Sequence, residues 1–337
     1  MQHPKVVLWR EMYHLVGHEL LAEGGADVVV VDSSQTDELK QALHGARALW
    51  VRTPERVTAD ILDAAPELVA ASTSGFGTDN VDIPAATERG ILVVNHVGFG
   101  RVPVAEHSIM MILAAAKRVV WGDAATRDGS GWAARSALDF IELDGRTVGV
   151  VGIGHIGAEI ARKLRYGFRC RVLGYDPYVD NRLARVVDVE MFDDLEAILR
   201  QSEVLVLVPE LTDETRLMIG ADELAMLPQG AIVVNTGRGH VLDADALDAA
   251  LRAEHLFGAG VDVVYPEPLP PEHPLLSNPK VTFSPHIAGG TQETSEQLAR
   301  SAAAQILTTL AGKLPACPVN PQAWDLPASR RPLSAEQ

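Results

Sequence analysis

The sequence predicts an α/β fold of two doubly wound parallel-sheet domains, one inserted into the other. Three observations predict it. Short apolar runs alternate with helical patterns along most of the chain, and that alternation builds βαβ units whose parallel sheets are covered on both faces. A glycine-rich turn near residue 152 opens a second alternating series after one long helical stretch. A last helical pattern, Gln292–Leu310, has no strand after it, so the C-terminal segment rejoins the N-terminal series.

Taken in order, strands are expected at 6–9, 28–31, 49–51, 68–71 and 91–94, with helices between them. A long helix is expected over 102–119, with Pro103 early enough that its missing N–H costs nothing. Val104, Ile109, Met111, Ile112, Leu113 and Val119 form its apolar set, and it should bridge the two domains. The second series places strands at 148–151, 172–175, 204–208, 232–235, 259–263 and 281–284. Helices at 195–200, 222–227 and 243–253 separate the later ones. A Pro-rich tail over 315–327 continues into 328–337, which should be weakly ordered at its end. The domains are expected at 1–101 with 287–337, and at 102–286.

Composition narrows the function. At 337 residues each of two domains can bury its own core. The net charge of −16 argues against nucleic acid or an anionic membrane surface as a partner. No apolar run reaches the roughly 18 residues of a membrane span. The start of the chain, Met1-Gln2-His3-Pro4-Lys5, leads into a strand, so a cytoplasmic location is expected. Cys170 and Cys317 stand too far apart for a disulfide framework or metal cluster to be read, and both are expected to be packing residues in a reducing compartment.

The strongest local signal is Thr147-Val148-Gly149-Val150-Val151-Gly152-Ile153-Gly154-His155-Ile156-Gly157. A buried strand runs into a turn, and helical spacing resumes over 156–164. Gly152 permits the tight turn, Gly154 lets backbone approach a pyrophosphate, and Gly157 lets helix and strand pack closely. The helix N-terminus offers N–H donors and the positive dipole end to that anion. Asp176 stands 19 residues beyond Gly157, after the next apolar strand. A carboxylate there accepts from a ribose diol and repels a 2′-phosphate, which favours NAD over NADP. The inserted domain is therefore expected to bind NAD.

Three strand ends in this domain carry reactive side chains. The run Val233-Val234-Asn235-Thr236-Gly237-Arg238-Gly239 throws Arg238 into the crevice beyond the strand ends, where its planar fork suits a carboxylate. The run Gly260-Val261-Asp262-Val263-Val264-Tyr265-Pro266-Glu267-Pro268 places Asp262 where a cofactor amide could donate to it. Its two prolines stiffen the loop around Glu267. The run Ser284-Pro285-His286-Ile287-Ala288-Gly289 supplies a strand-end His. Alone, Arg238 reads equally as a surface Arg in a turn, Glu267 rather as a solvated loop acid and His286 as a surface or packing residue; their company beside a dinucleotide site raises them. Reducing a 2-keto acid needs a hydride at the carbonyl carbon, a proton on its oxygen and a clamp for the carboxylate. Glu267 could orient His286 for the proton transfer, while Arg238 holds the carboxylate and polarises the carbonyl.

With these motifs assembled, the chain resembles the D-isomer-specific 2-hydroxyacid dehydrogenase family over about residues 45–325. Further segments carry the resemblance: Gly75-Phe76-Gly77-Thr78-Asp79-Asn80-Val81-Asp82, Val104-Ala105-Glu106-His107, Tyr175-Asp176-Pro177, Leu211-Thr212-Asp213-Glu214-Thr215 and Glu267-Pro268-Leu269-Pro270. The resemblance implies an oxidoreductase with a Rossmann NAD domain inserted into a discontinuous, flavodoxin-like substrate domain. It implies that Arg238, Glu267 and His286 are catalytic. It implies NAD contacts from Gly152, Gly154, His155, Ile156, Gly157, Asp176, Pro209, Thr236, Gly237, Arg238, Asp262, His286 and Gly289. It implies substrate contacts from the backbone of Ser74, Gly75, Phe76 and Gly77, with Arg52 placed for a distal anion, and a homodimer through the inserted domain.

The chain departs from the family pattern in three places. Val208-Pro209-Glu210-Leu211-Thr212 stands where the family usually reads His-x-Pro-Leu-Thr, so the proline is displaced and a charge added. Gly237 replaces an Ala or Ser, which should loosen the backbone slightly. Thr73 stands where phosphoglycerate dehydrogenases tend to carry Arg, although Arg52-Thr53 and Val319-Asn320-Pro321 look like that subgroup. Two other readings use the same residues: an NAD-sensing corepressor-like binding protein, separable by turnover, and a formate or phosphite dehydrogenase, separable by assay on those anions.

Overall fold

The computed structural model describes residues 3–136, 139–179, 188–326 and 330. The chain divides into two compact units, Met1–Gly100 with Gly290–Gln337, and Arg101–Gly289.

The first unit runs β1 (Lys5–Trp9), α1 (Val16–Glu23), β2 (Asp27–Val31), α2 (Thr36–Leu43), β3 (Ala46–Val51), α3 (Ala59–Asp63), β4 (Ala70–Ser72), α4 (Ile83–Glu88) and β5 (Leu92–Val94). Its sheet is parallel in the order β2-β1-β3-β4-β5, the flavodoxin-like order. Successive strand residues face opposite ways. Val7, Leu49, Ala71 and Val93 therefore build one core with α2 to α4. Val6, Ala48, Trp50 and Ala70 build another against Ala299, Ala302, Ala303 and Ile306 of the late helix Gln292–Leu310.

The second unit runs α5 (Arg101–Ala116), α6 (Val119–Arg127), α7 (Gly131–Ala134), β6 (Thr147–Val151), α8 (His155–Phe168), β7 (Arg171–Tyr175), β8 (Glu190–Phe192), α9 (Leu195–Leu199), β9 (Val204–Leu207), α10 (Ala221–Met226), β10 (Ala231–Asn235), α11 (Ala244–Arg252), β11 (Leu256–Val261) and β12 (Val281–Phe283). All its strands are parallel, in the order β12-β11-β10-β9-β6-β7-β8. The order reverses between β6 and β9, and the crevice at such a switch point is where open α/β sheets bind ligands. The near-continuous apolar strands are buried on both faces, as a parallel sheet under helices requires.

Several expectations need correction. The helix expected over 102–119 stops at Ala116, because Arg118 adopts a left-handed backbone (φ 49°) and the chain restarts as α6. It belongs to the second unit, where Ile109, Met111 and Ile112 enter the core. The strand expected at 259–263 is Leu256–Val261; pairing with β12 ends at Val261, and Asp262 turns away to bond a loop. The strand expected at 68–71 is Ala70–Ser72, and β8, α6 and α7 were not expected.

The Pro-rich tail is docked over its first part. Val319 N donates to Val93 O at 2.8 Å, so the segment lies antiparallel on β5. Asn320 is buried, accepting from Val93 N at 2.7 Å and donating to Ile91 O at 3.0 Å. The weak order expected toward the end falls, Arg330 apart, outside the described residues. Among the described residues, no helix is long and apolar enough to cross a membrane. Cys170 is fully buried and donates to Leu143 O at 3.3 Å, and burial pushes its thiol up to about 11.

Candidate active site

The glycine turn after β6 has the shape the sequence implies. Gly152 takes φ 91°, which a side chain resists, and a Cβ there would meet Pro209 backbone at 2.7 Å. A Cβ on Gly157 would lie 1.9 Å from Gly152 O, so α8 packs directly on the turn. At Gly154 nothing lies within 4 Å of where a Cβ would stand, and Gly154 and His155 are exposed. An open backbone edge at the start of a 14-residue helix fits a pyrophosphate. Asp176 follows β7; its Oδ2 accepts from Ile153 N at 2.9 Å, and its Oδ1 accepts from Tyr178 N at 3.0 Å. Oδ1 also accepts from Val179 N at 3.1 Å, which fills it, while Oδ2 keeps acceptor capacity for a ribose hydroxyl.

Three neighbouring strand ends carry the reactive set. Arg238 lies three residues after β10, Glu267 six after β11, and His286 three after β12. His286 Nδ1 donates to Glu267 Oε2 at 3.0 Å, with both side chains about one-third exposed (30% and 35%). Arg238 is half-buried, and its Nη1 donates to Gly237 O at 3.0 Å.

The turn under Arg238 is built by a residue that sequence reasoning left out. Asn235 is buried; its Oδ1 accepts from Gly237 N at 3.1 Å and its Nδ2 donates to Arg238 O at 3.0 Å. A strand-end Asn just before Thr-Gly-Arg is the only signal that could have found it. Gly237 is tighter than expected: a Cβ would lie 3.0 Å from Val208 Cα. Two departures from the family pattern, Gly237 and Val208-Pro209, thus touch one another, and the small residue makes room for that backbone.

Two expected cofactor contacts face inward. Thr236 is buried, its hydroxyl 2.7 Å from Ser108 Oγ. Asp262 has a fully buried side chain that accepts from Ile287 N and Ala288 N, each at 3.0 Å, and from the Ser284 hydroxyl. Rather than presenting a free carboxylate, it organises the loop of His286.

In the first unit the segment 74–77 is tied down through its carbonyls. Gly75 O accepts from Thr73 Oγ1 and from His96 N, each at 3.0 Å, and Phe76 O accepts from Asn95 Nδ2 at 2.8 Å. Ser74 Oγ accepts from Trp50 Nε1 at 3.0 Å. His96 is buried, and its Nε2 lies 3.0 Å from Thr73 O; burial pulls it down to about 4. The Arg52 guanidinium stacks 4.9 Å over the Tyr13 ring.

Comparison with known proteins agrees with this architecture. Residues 109–288 match the family model for the D-isomer specific 2-hydroxyacid dehydrogenase NAD-binding domain. The glyoxylate reductase of Aeropyrum pernix is 36% identical over 328 residues, covering 95% of this chain and 97% of that protein. The D-3-phosphoglycerate dehydrogenase of Methanocaldococcus jannaschii is 34% identical over 91% of this chain, but the chain spans only 58% of that protein's length. The solved TT0316 protein of Thermus thermophilus superposes with a TM-score of 0.86 at 34% identity, covering 94% of this chain and 99% of that one. The chain belongs to the D-isomer specific 2-hydroxyacid dehydrogenase family and is an NAD-dependent dehydrogenase whose second unit carries the family's NAD-binding domain.

Proposed function

We propose that the chain interconverts a 2-keto acid and its D-2-hydroxy acid, with His286 as acid and base, Glu267 orienting it and Arg238 holding the substrate carboxylate. The observation that carries this reading is the 3.0 Å bond from His286 Nδ1 to Glu267 Oε2. NAD, when bound, supplies or accepts the hydride at the substrate's C2. With Nδ1 spent on Glu267, Nε2 is the nitrogen that gives a proton to the carbonyl oxygen in reduction and takes it from the hydroxyl in oxidation. The guanidinium of Arg238 suits bidentate capture of the carboxylate and polarises the adjacent carbonyl.

Gly152, Gly154, His155, Ile156, Gly157, Pro209 and Asp176 form the coenzyme side of this reading, with Gly237 and Gly289 lining it from the later strand ends, while buried Thr236 and Asp262 brace those loops from behind. The carbonyls of Gly75 and Phe76 are already bonded, so the amides of Ser74 to Gly77 are that loop's donors for a carboxylate. In this reading Arg52, which stacks on Tyr13, is the candidate for a second anionic group of the substrate. A homodimer through the inserted domain is supported by exposed Val119, Val120 and Trp132 on α6 and α7. The two unpaired cysteines suit the cytoplasm.

The test offers NADH with glyoxylate, hydroxypyruvate, pyruvate, phenylpyruvate and 3-phosphohydroxypyruvate and follows NADH oxidation. Turnover of at least one is expected. Silence across the panel, with NADH bound, overturns the reading.

A further inference from the structure

We propose that His107 and Ser284 are positioning residues for the proton-transfer step, acting through Asp262 on the backbone that aims His286. The proposal rests on His286 being the acid–base group.

Three consecutive amides converge on one residue. His286 N donates to Asp262 O at 2.8 Å, Ile287 N to Asp262 Oδ1 at 3.0 Å and Ala288 N to Asp262 Oδ2 at 3.0 Å. They hold His286 in a left-handed backbone, φ 53°, a conformation uncommon outside glycine. The carboxylate of Asp262 must therefore sit at one fixed rotation, both oxygens facing the turn.

What fixes that rotation lies behind it. The Ser284 hydroxyl bonds Asp262 Oδ1, and His107 Nε2 lies 2.8 Å from Ser284 Oγ and 3.5 Å from Asp262 Oδ1. A carboxylate only accepts, so the single hydroxyl proton of Ser284 points at Asp262. Ser284 Oγ must then accept from His107, which puts the proton on Nε2. The bonds run one way, from His107 on α5 through Ser284 to Asp262, whose carboxylate also accepts from the two amides that follow His286, those of Ile287 and Ala288. His107 is half-buried and Asp262 fully buried, so water competes poorly for these bonds. The chain of three ties a helix of the unit's core to the aim of one exposed imidazole.

The test compares Ser284→Ala and His107→Leu, which break the chain, with Ser284→Thr and His107→Gln, which keep a hydroxyl and a nitrogen donor. Three quantities are measured: kcat and KM with NADH and the best keto acid, the Kd for NADH by fluorescence, and amide exchange at Ile287 and Ala288 by NMR. Ser284→Ala and His107→Leu should each lower kcat about tenfold or more while the NADH Kd stays within about twofold. Exchange at both amides should rise about tenfold, with β6 and β9 unchanged. The conservative variants should recover kcat to within about threefold of wild type. The proposal is overturned by wild-type kcat in Ser284→Ala, by unchanged protection at both amides, or by losses that Ser284→Thr fails to recover. If His107→Leu does not fold, the Ser284 pair decides alone. If wild type turns over no keto acid, the proposed activity fails, and the exchange data still decide whether this relay holds the turn.

Discussion

Asp176 Oδ2 accepts from the amide of Ile153 at 2.9 Å, so the residue expected to read the coenzyme ribose also closes the glycine turn beside it. The two jobs share one carboxylate and predict a double effect.

Asp176→Ala should raise the NADPH to NADH ratio of kcat/KM by about tenfold or more, because the repulsion of a 2′-phosphate is gone. It should also weaken NADH itself, since the diol loses its acceptor and the turn loses an anchor. Steady-state kinetics with both coenzymes check this. An unchanged ratio would remove Asp176 from coenzyme selection.

His286→Ala should lower kcat by about 10²- to 10⁴-fold, the usual worth of a positioned acid–base group. Glu267→Gln should cost less, about 10- to 100-fold, because the imidazole remains and only its orienting carboxylate is lost. NADH affinity should hold in both. If Glu267→Gln matches wild type, the 3.0 Å bond has no part in turnover.

Arg238→Lys should act chiefly on the keto acid, raising its KM by about tenfold or more, since an ammonium cannot bridge both carboxylate oxygens in one plane. A kcat effect with KM unchanged would instead make Arg238 a polariser of the carbonyl alone.

Much of this site was legible in the sequence because it sits where one-dimensional patterns change. Gly152, Gly157 and Asp176 stand at fixed distances along one βαβ unit, and Arg238 and His286 each stand three residues beyond a strand. Asn235, His107 and Ser284 were not read as functional. Their roles come from bonds between segments far apart in sequence, as when His107 reaches Ser284, 177 positions away. The helix expected over 102–119 failed for a different reason. Val119 continues its apolar set, but the left-handed turn at Arg118 is not encoded by any glycine or proline. The strand expected at 259–263 overran because Asp262 and Val263 look like strand residues until the His286 loop claims the Asp262 side chain.

His96 predicts an acid-sensitive first unit. Its Nε2–H donates to Thr73 O at 3.0 Å, and Nδ1 takes donors from Ser301 Oγ at 2.9 Å and Gln305 Nε2 at 3.1 Å. Such a site holds the neutral ring, and burial pulls the folded-state value from 6.5 to about 4. The unfolded chain therefore takes up a proton as pH falls through 6.5, whereas the folded chain resists until about 4. The stability due to neutral His96 is complete above 6.5 and drains away between 6.5 and 4, about 3 kcal/mol in all. Trp9, Trp50 and Trp324 are buried in the same unit, so urea unfolding followed by Trp fluorescence, in a background where Trp121 and Trp132 of the second unit are replaced by Phe, reports it. Between pH 7 and pH 4.5, wild type should lose about 2 kcal/mol more stability than His96→Gln, which has nothing to protonate. Equal losses in the two proteins would show that other groups govern the acid limb.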